Sequence, residues 1–157
     1  MAKRHTGCCE PFKPSIWENK EITWNNKLFI KDRVRCFFHR PLNIKNKIMN
    51  NMQQIKDTQA MPENFVMLFD HNSKWRSDMY LAVNKKIPGV QMTTLSGTFL
   101  SKVFEGPYKN AHIWTKQMYR AARSAGYEPK KVLYYYTTCP KCAKQYGINY
   151  VVLFAVV

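Results

Sequence analysis

Two pairs of cysteines are the residues whose type and spacing most directly suggest chemistry. Cys139 and Cys142 form a C-x-x-C segment, in which two thiolates can chelate one metal ion or form a redox pair. A tetrahedral zinc site needs two more ligands, which Cys8 and Cys9 could supply, with His5 as a substitute. Three interpretations stay open: structural thiols without a metal, a zinc or other metal clip joining the N-terminal arm to the C-x-x-C turn, and a redox pair.

The fifth cysteine, Cys36, lies in an apolar, strand-like run and is expected to be a core thiol. An odd number of cysteines argues against a disulfide framework. No apolar run reaches the ~18 residues that a membrane span needs, and the basic N-terminus lacks the apolar region of a signal peptide. We therefore expect a cytoplasmic protein with no membrane partner.

Hydrophobic periodicity predicts both helices and strands, and hence an α+β fold. The predicted strands are 27–38, 65–69, 79–83, 91–104, 132–138 and 149–157, and the predicted helices are 44–55 and 110–125. The second helix is expected to turn inward Ile113, Trp114, Gln117, Met118, Ala121 and Ala125. In the strand that follows it, alternation places Tyr134 and Tyr136 on one face and Tyr135 on the other. Residues 1–26 show no clear periodicity, and their two tryptophans indicate an arm that packs on the domain.

The two halves of the chain follow the same order of strand, helix, strand and strand. Residues 38–42 align with 104–108, so that helix follows strand in both halves. This pattern predicts a pseudo-twofold pair of β-α-β-β repeats, 27–88 and 89–157, with helices packed on an antiparallel sheet and a ligand cleft between the repeats. His39 and Glu105 occupy equivalent places in the two repeats. They are either an acid–base pair across that cleft or two unrelated surface groups.

The chain carries 25 Lys and Arg against 10 Asp and Glu, a formal charge of +15. Such a balance raises the expectation of an anionic partner, but the charge is scattered and forms no basic tail. No helix-turn-helix, zinc-finger, serine-elbow or phosphate-loop motif is present. Nucleic acid is therefore a less favoured partner than a small molecule, and the oligomeric state stays open between monomer and dimer.

The second half of the chain resembles the GyrI-like family, which includes the effector-binding domains of AraC- and MerR-type regulators. The resemblance lies in a strand ending in Phe104-Glu105-Gly106-Pro107-Tyr108, a helix bearing Trp114, Gly126, and a strand that runs to Pro140. The chain from about residue 23 to 157 also resembles standalone bacterial and archaeal proteins described as hydrolases. The resemblance to those proteins lies in segments 8–12, 106–111 and 137–144.

This resemblance implies a GyrI-like, SHS2-type fold of two β-α-β-β units, with a small-molecule cleft between them. GyrI-like domains often carry a glutamate that contacts cationic ligands, but Tyr134 stands in its place here. A cationic ligand is thus disfavoured, and a mostly apolar or aromatic molecule is expected. The family also includes hydrolases that open strained rings, which need a carboxylate, a tyrosine and aromatic walls.

The resemblance, together with the repeat that adds His39, gives two groups of candidate functional residues. The catalytic candidates are Glu105, Tyr134, Tyr136 and His39, and the ligand-binding candidates are Tyr108, Trp114 and Phe104. The expected function is binding of the ligand between the repeats and its hydrolysis by carboxylate and tyrosine acid–base chemistry. The alternatives are a non-catalytic binding or sequestering module and, less favoured, a basic protein that binds nucleic acid or another protein.

Overall fold

A computed structural model describes residues 12–38, 40–71, 73–137, 147 and 149–157. Within these residues the chain is mixed helix and strand. The strands are β1 (Lys20–Phe37), β2 (Arg40–Pro41), β3 (Met67–Asp70), β4 (Arg76–Ala82), β5 (Met92–Glu105), β6 (Lys131–Tyr136) and β7 (Tyr150–Val156). The helices are α1 (Ile44–Asp57) and α2 (Ala111–Ser124), with short 3₁₀ turns at Pro14–Ile16 and Tyr108–Asn110. The described residues contain no helix that is both long and apolar enough to span a membrane.

The predicted helices and strands are confirmed in position, although their ends differ. The largest difference is β1, which begins at Lys20 rather than at residue 27. Its early residues are mostly exposed and polar, so they give no hydrophobic signal. Whether such a segment forms a strand depends more on its pairing with neighbouring strands than on the intrinsic β preference of its residues.

The chain divides into two compact units. Unit 2 is Trp24–Gly97, and unit 1 combines the residues up to Thr23 with Thr98–Val157. The boundaries fall inside β1 and β5, so the predicted repeats of 27–88 and 89–157 do not coincide with these units.

Unit 2 is built on antiparallel strands. β4 lies between β1 and β3, and β2 pairs with the end of β1. The first residues of β5 also lie beside β1, where the Asn26 amide donates to the Ser96 hydroxyl at 2.8 Å. The largest fully buried side chains of this unit include Phe29, Phe69 and Ile55. Helix α1 thus contributes its buried Ile55 to an otherwise strand-built core.

Unit 1 has the order β5, α2, β6, β7, and β7 pairs antiparallel with both β5 and β6. Helix α2 packs on these strands through a narrow stripe of buried residues, Trp114, Met118 and Ala122. The predicted inner face was therefore wrong in part, because Ile113, Gln117 and Ala125 are exposed. The buried face of α2 consists of residues spaced four apart, and its two large side chains, Trp114 and Met118, determine which side of the helix faces the strands.

Candidate functional site

Strand β5 brings Phe104 against the helix that follows it. The rings of Phe104 and Trp114 are nearly parallel, with centroids 5.7 Å apart, and both side chains are buried. Gly106 lies beside this pair with a φ of +140°, which a side-chain-bearing residue rarely adopts, and an added Cβ would be in ordinary contact with Trp114 Cζ2 at 3.4 Å. Glu105 follows Phe104 directly and is exposed. Because side chains alternate along a strand, Glu105 points away from the face that carries Phe104.

Three tyrosines meet on the helix-facing side of β6, and we call Tyr108, Tyr134 and Tyr136 the tyrosine cluster. The Tyr134 and Tyr136 rings are nearly parallel, with centroids 6.2 Å apart. Tyr108 meets Tyr136 edge to face at 5.6 Å. All three are partly buried against the core that contains Phe104 and Trp114. The structure thus brings together five of the residues expected to form the site.

A threonine that the sequence did not single out orients one of these phenols. The Thr115 hydroxyl lies 2.7 Å from the Ala111 carbonyl and 2.6 Å from the Tyr134 hydroxyl. A hydroxyl has one proton, and the carbonyl can only accept. Thr115 therefore donates to Ala111 and accepts the proton of Tyr134, which fixes the direction of the phenol O–H bond.

The other phenol of the pair differs in its electrostatic surroundings. Burial raises the pKa of Tyr136 well above its usual value of 10.0, and the neighbouring hydroxyls of Tyr134 and Tyr108 add to the effect. Both causes disfavour the phenolate. At neutral pH Tyr136 is therefore a phenol that can donate a hydrogen bond and that releases its proton less readily than an ordinary tyrosine.

The opposite face of β6 has a different role. Tyr135 packs edge to face against Phe12 and Trp17, at 6.3 Å and 6.5 Å. Trp17 is buried, also contacts Phe154 at 5.4 Å, and its carbonyl accepts a 2.6 Å hydrogen bond from Ser101. This face holds residues 12–17 of the N-terminal arm on unit 1.

Several expected site residues lie outside the described part of the chain. They are His39, Cys8, Cys9, Cys139 and Cys142. Within the residues that are described, no three His, Cys, Asp or Glu side chains are grouped so as to hold a metal ion. Cys36 is buried, as expected of a core thiol, with its sulfur 3.7 Å from the Ser77 hydroxyl.

Unit 2 contains a polar pair that the sequence analysis missed. His71 Nδ1 lies 2.8 Å from the Ser77 hydroxyl, and its ring stacks on Phe69. The β3–β4 register brings the two together, because Asp70 lies opposite Asp78 in the same ladder. Ser77 is only 2% exposed, so its hydroxyl is not open to a substrate. No local sequence signal could have revealed this pair, since it depends on strand register.

A family model described as "Bacterial hydrolase" matches residues 1–157, the whole chain. The chain belongs to this bacterial hydrolase family. No curated protein matches it. The resemblance to hydrolases seen in the sequence is thereby supported, whereas membership of the GyrI-like family is not shown.

For a member of the bacterial hydrolase family, the described residues offer two groups that could take part in proton transfer. One is the tyrosine cluster, where Tyr134 is oriented and Tyr136 is kept protonated. The other is the facing pair of Asp70 and Asp78 in unit 2, where Arg33 Nε lies 3.8 Å from Asp78. The first lies beside an aromatic wall formed by Phe104 and Trp114.

Proposed function

We propose that this bacterial hydrolase binds a small, mostly apolar or aromatic molecule at the tyrosine cluster and hydrolyses it with Tyr136 as the proton donor. The observation that carries the proposal is the geometry of the tyrosine cluster, in which the Tyr136 phenol lies beside the rings of Tyr134 and Tyr108 and against the buried aromatic core. A neutral phenol in apolar surroundings can donate its proton to a leaving oxygen or nitrogen. The aromatic side chains beside it favour an apolar ligand because they would bury its surface.

The chemistry proposed is addition of water across the bond that breaks. The water oxygen bonds to the electrophilic atom, while the leaving oxygen or nitrogen takes the phenolic proton of Tyr136. The proton released by water then restores the phenol. Tyr134 is the positioning partner, since its O–H bond is directed at Thr115 and its ring is nearly parallel to that of Tyr136. Carboxylate catalysis by Glu105, expected from the sequence, would require that exposed side chain to reach the tyrosine cluster from the other face of β5.

The matched pair of variants for this proposal is Tyr136→Phe and Tyr135→Phe. Each removes one hydroxyl from β6, but on opposite faces of the strand. Turnover of benzyl acetate and of styrene oxide supplies two chemically distinct hydrolytic probes, in both of which the leaving alkoxide needs a proton. We expect Tyr136→Phe to lower kcat roughly a hundredfold or more, the size of a general acid's contribution, and Tyr135→Phe to leave it nearly unchanged.

Two other outcomes separate the alternatives. Binding of these molecules without turnover by the unmodified protein would favour a non-catalytic binding or sequestering module. Loss of turnover in Glu105→Gln, with Tyr136→Phe active, would assign the proton transfer to the carboxylate. Elemental analysis tests the zinc interpretation of the cysteines: zinc well below one atom per chain would exclude it.

We also propose that the chain is a pair of related repeats in a cytoplasmic protein. The order strand, helix, strand, strand occurs twice. In each case the last strand pairs with both of the other strands, β4 with β1 and β3, and β7 with β5 and β6. The repeats are proposed as 27–88 and 89–157, following an arm of residues 1–26. Expression of each repeat alone, and fractionation of cells that produce the protein, would test these two statements.

A further inference from the structure

Unit 2 exposes large aromatic side chains at the end where β1 finishes and β4 begins. Phe37, Phe38 and Trp75 are 56%, 59% and 55% exposed. Their rings contact one another, with centroids 4.8 to 5.9 Å apart. Exposing three adjacent large rings to water is unfavourable, and exposed apolar patches of this kind often mark interaction sites. We call these three residues the aromatic tip.

The backbone of the aromatic tip is itself unusual. Phe38 has a φ of +47°, a left-handed conformation that a bulky side chain rarely adopts. Phe38 follows Phe37, which is paired with Arg40 in the β1–β2 hairpin, and tight hairpin turns require a positive φ. Leu42 is 65% exposed, and its amide donates to the Arg35 carbonyl at 2.9 Å, which anchors it beside the end of β1. An exposed aliphatic residue thus lies at the same end of β1 as the aromatic tip.

Positive charge surrounds these rings. Lys74 Nζ lies 5.9 Å from the centre of the Phe38 ring. Arg35 and Arg76 are directly opposite each other in the β1–β4 ladder, an arrangement that is unfavourable for like charges. The next pair of the same face, Arg33 and Asp78, has opposite charges. Among the described residues, no ion pair compensates Arg35, Lys74 or Arg76.

We propose that the aromatic tip binds the surface of an anionic phospholipid membrane. Phe and Trp side chains enter the interfacial layer of a bilayer, where an aliphatic side chain such as Leu42 is also accommodated. Arg35, Lys74 and Arg76 would then lie near acidic headgroups, whose negative potential attracts basic segments close to the surface. The three cations gain a counter-charge that no ion pair among the described residues supplies. This is peripheral binding and needs no membrane-spanning segment.

The same features disfavour two other occupants. A second copy of the chain related by a twofold axis would bring the cations of both patches together. Single-stranded nucleic acid binds to open ring faces on which bases stack. Here Phe37 and Phe38 meet at 88°, so the edge of one ring is already against the face of the other, and Leu42 has no ring. The exposed apolar side chains are therefore better suited to the interfacial layer of a membrane than to stacking on a row of bases.

Co-sedimentation with vesicles tests the proposal. One set contains phosphatidylcholine and phosphatidylserine, and the other contains phosphatidylcholine alone. We expect binding to the first set only, weakened at least tenfold in Phe37→Ser/Trp75→Ser. Neutralisation of Arg35 and Arg76 in Arg35→Gln/Arg76→Gln should weaken it about fivefold for each charge removed. All these side chains are exposed, and circular dichroism checks that the variants stay folded.

The matched controls lie elsewhere on the same unit. Met49→Ser removes an exposed apolar side chain outside the aromatic tip, and Lys85→Gln/Lys86→Gln removes two exposed charges. Both should bind as the unmodified protein does. Absence of binding to acidic vesicles would overturn the proposal, as would equal losses in the control variants. Binding of oligothymidylate, or self-association, that is lost in Phe37→Ser/Trp75→Ser while vesicles do not bind would assign the aromatic tip to another partner.

Discussion

The hydrogen bond between Thr115 and Tyr134 makes a quantitative prediction through a double-mutant cycle. Thr115→Val replaces the hydroxyl by a methyl group of similar size, and Tyr134→Phe removes the donor. The 2.6 Å separation is that of a well-formed bond between hydroxyls. Such a neutral bond contributes a net ~0.5–1.5 kcal/mol to stability. We therefore expect the two substitutions to be coupled by about 1 kcal/mol in the free energy of unfolding.

The individual costs follow from the same geometry. Thr115→Val removes the acceptor of Tyr134 and the bond to the Ala111 carbonyl, and should cost about 1–2 kcal/mol. Tyr134→Phe leaves Thr115 bonded to Ala111, so its cost should be smaller, about 0.5–1 kcal/mol. Urea unfolding followed by circular dichroism measures all four proteins of the cycle. Unchanged m values would show that the denatured state is not altered.

A second cycle supplies the control. Tyr135→Phe removes a hydroxyl from the neighbouring position on the opposite face of β6 and should not be coupled to Thr115→Val. Coupling below about 0.3 kcal/mol in the Tyr134 cycle, or equal coupling in the Tyr135 cycle, would refute a stabilising hydrogen bond between Thr115 and Tyr134. The orientation of the tyrosine cluster would then have to be explained without Thr115.

Two further predictions concern backbone geometry and pH. Gly106→Ala should lower the free energy of unfolding by about 1–3 kcal/mol because φ is +140°. Gly89 has a φ of +77°, nearer the left-handed region that other residues can adopt, so Gly89→Ala should cost less, and equal losses in urea unfolding would contradict this reasoning. Burial raises the pKa of Asp32, but bonds from Asn51, the Arg33 amide and Lys47 lower it overall. This carboxylate therefore stabilises the fold above pH 3.8, and the contribution is lost as the pH falls through the lowered pKa. Asn51→Ala should cost about 1–2 kcal/mol at neutral pH and less in acid; an equal cost at both pH values in thermal unfolding would contradict this.

The helices and strands could be predicted because each carries a local hydrophobic signal. The inward face of α2 was only partly predictable, since Ile113 and Trp114 are adjacent and both apolar. Only packing on β5 and β7 shows that Trp114 is buried and Ile113 exposed. The first residues of β1 were missed because they carry little apolar pattern of their own.

In the candidate site, too, the features set by local sequence could be predicted, and the contacts set by tertiary packing could not. Alternation along β6 correctly placed Tyr134 and Tyr136 on one face, and the structure brings them to Trp114. The role of Thr115 was not foreseen, since it depends on how α2 lies over β6. The contact of His71 with Ser77 depends on the register of β3 and β4, which a single sequence does not encode in any short motif.

The most direct test of the proposed function is the hydrolytic activity of Tyr136→Phe measured beside Tyr135→Phe. The account predicts that kcat for a hydrolysed aromatic substrate falls roughly a hundredfold or more in the first variant and stays within about twofold of the unmodified protein in the second. Equal activity in both variants, with the unmodified protein active and all three folded, would contradict Tyr136 as the proton donor.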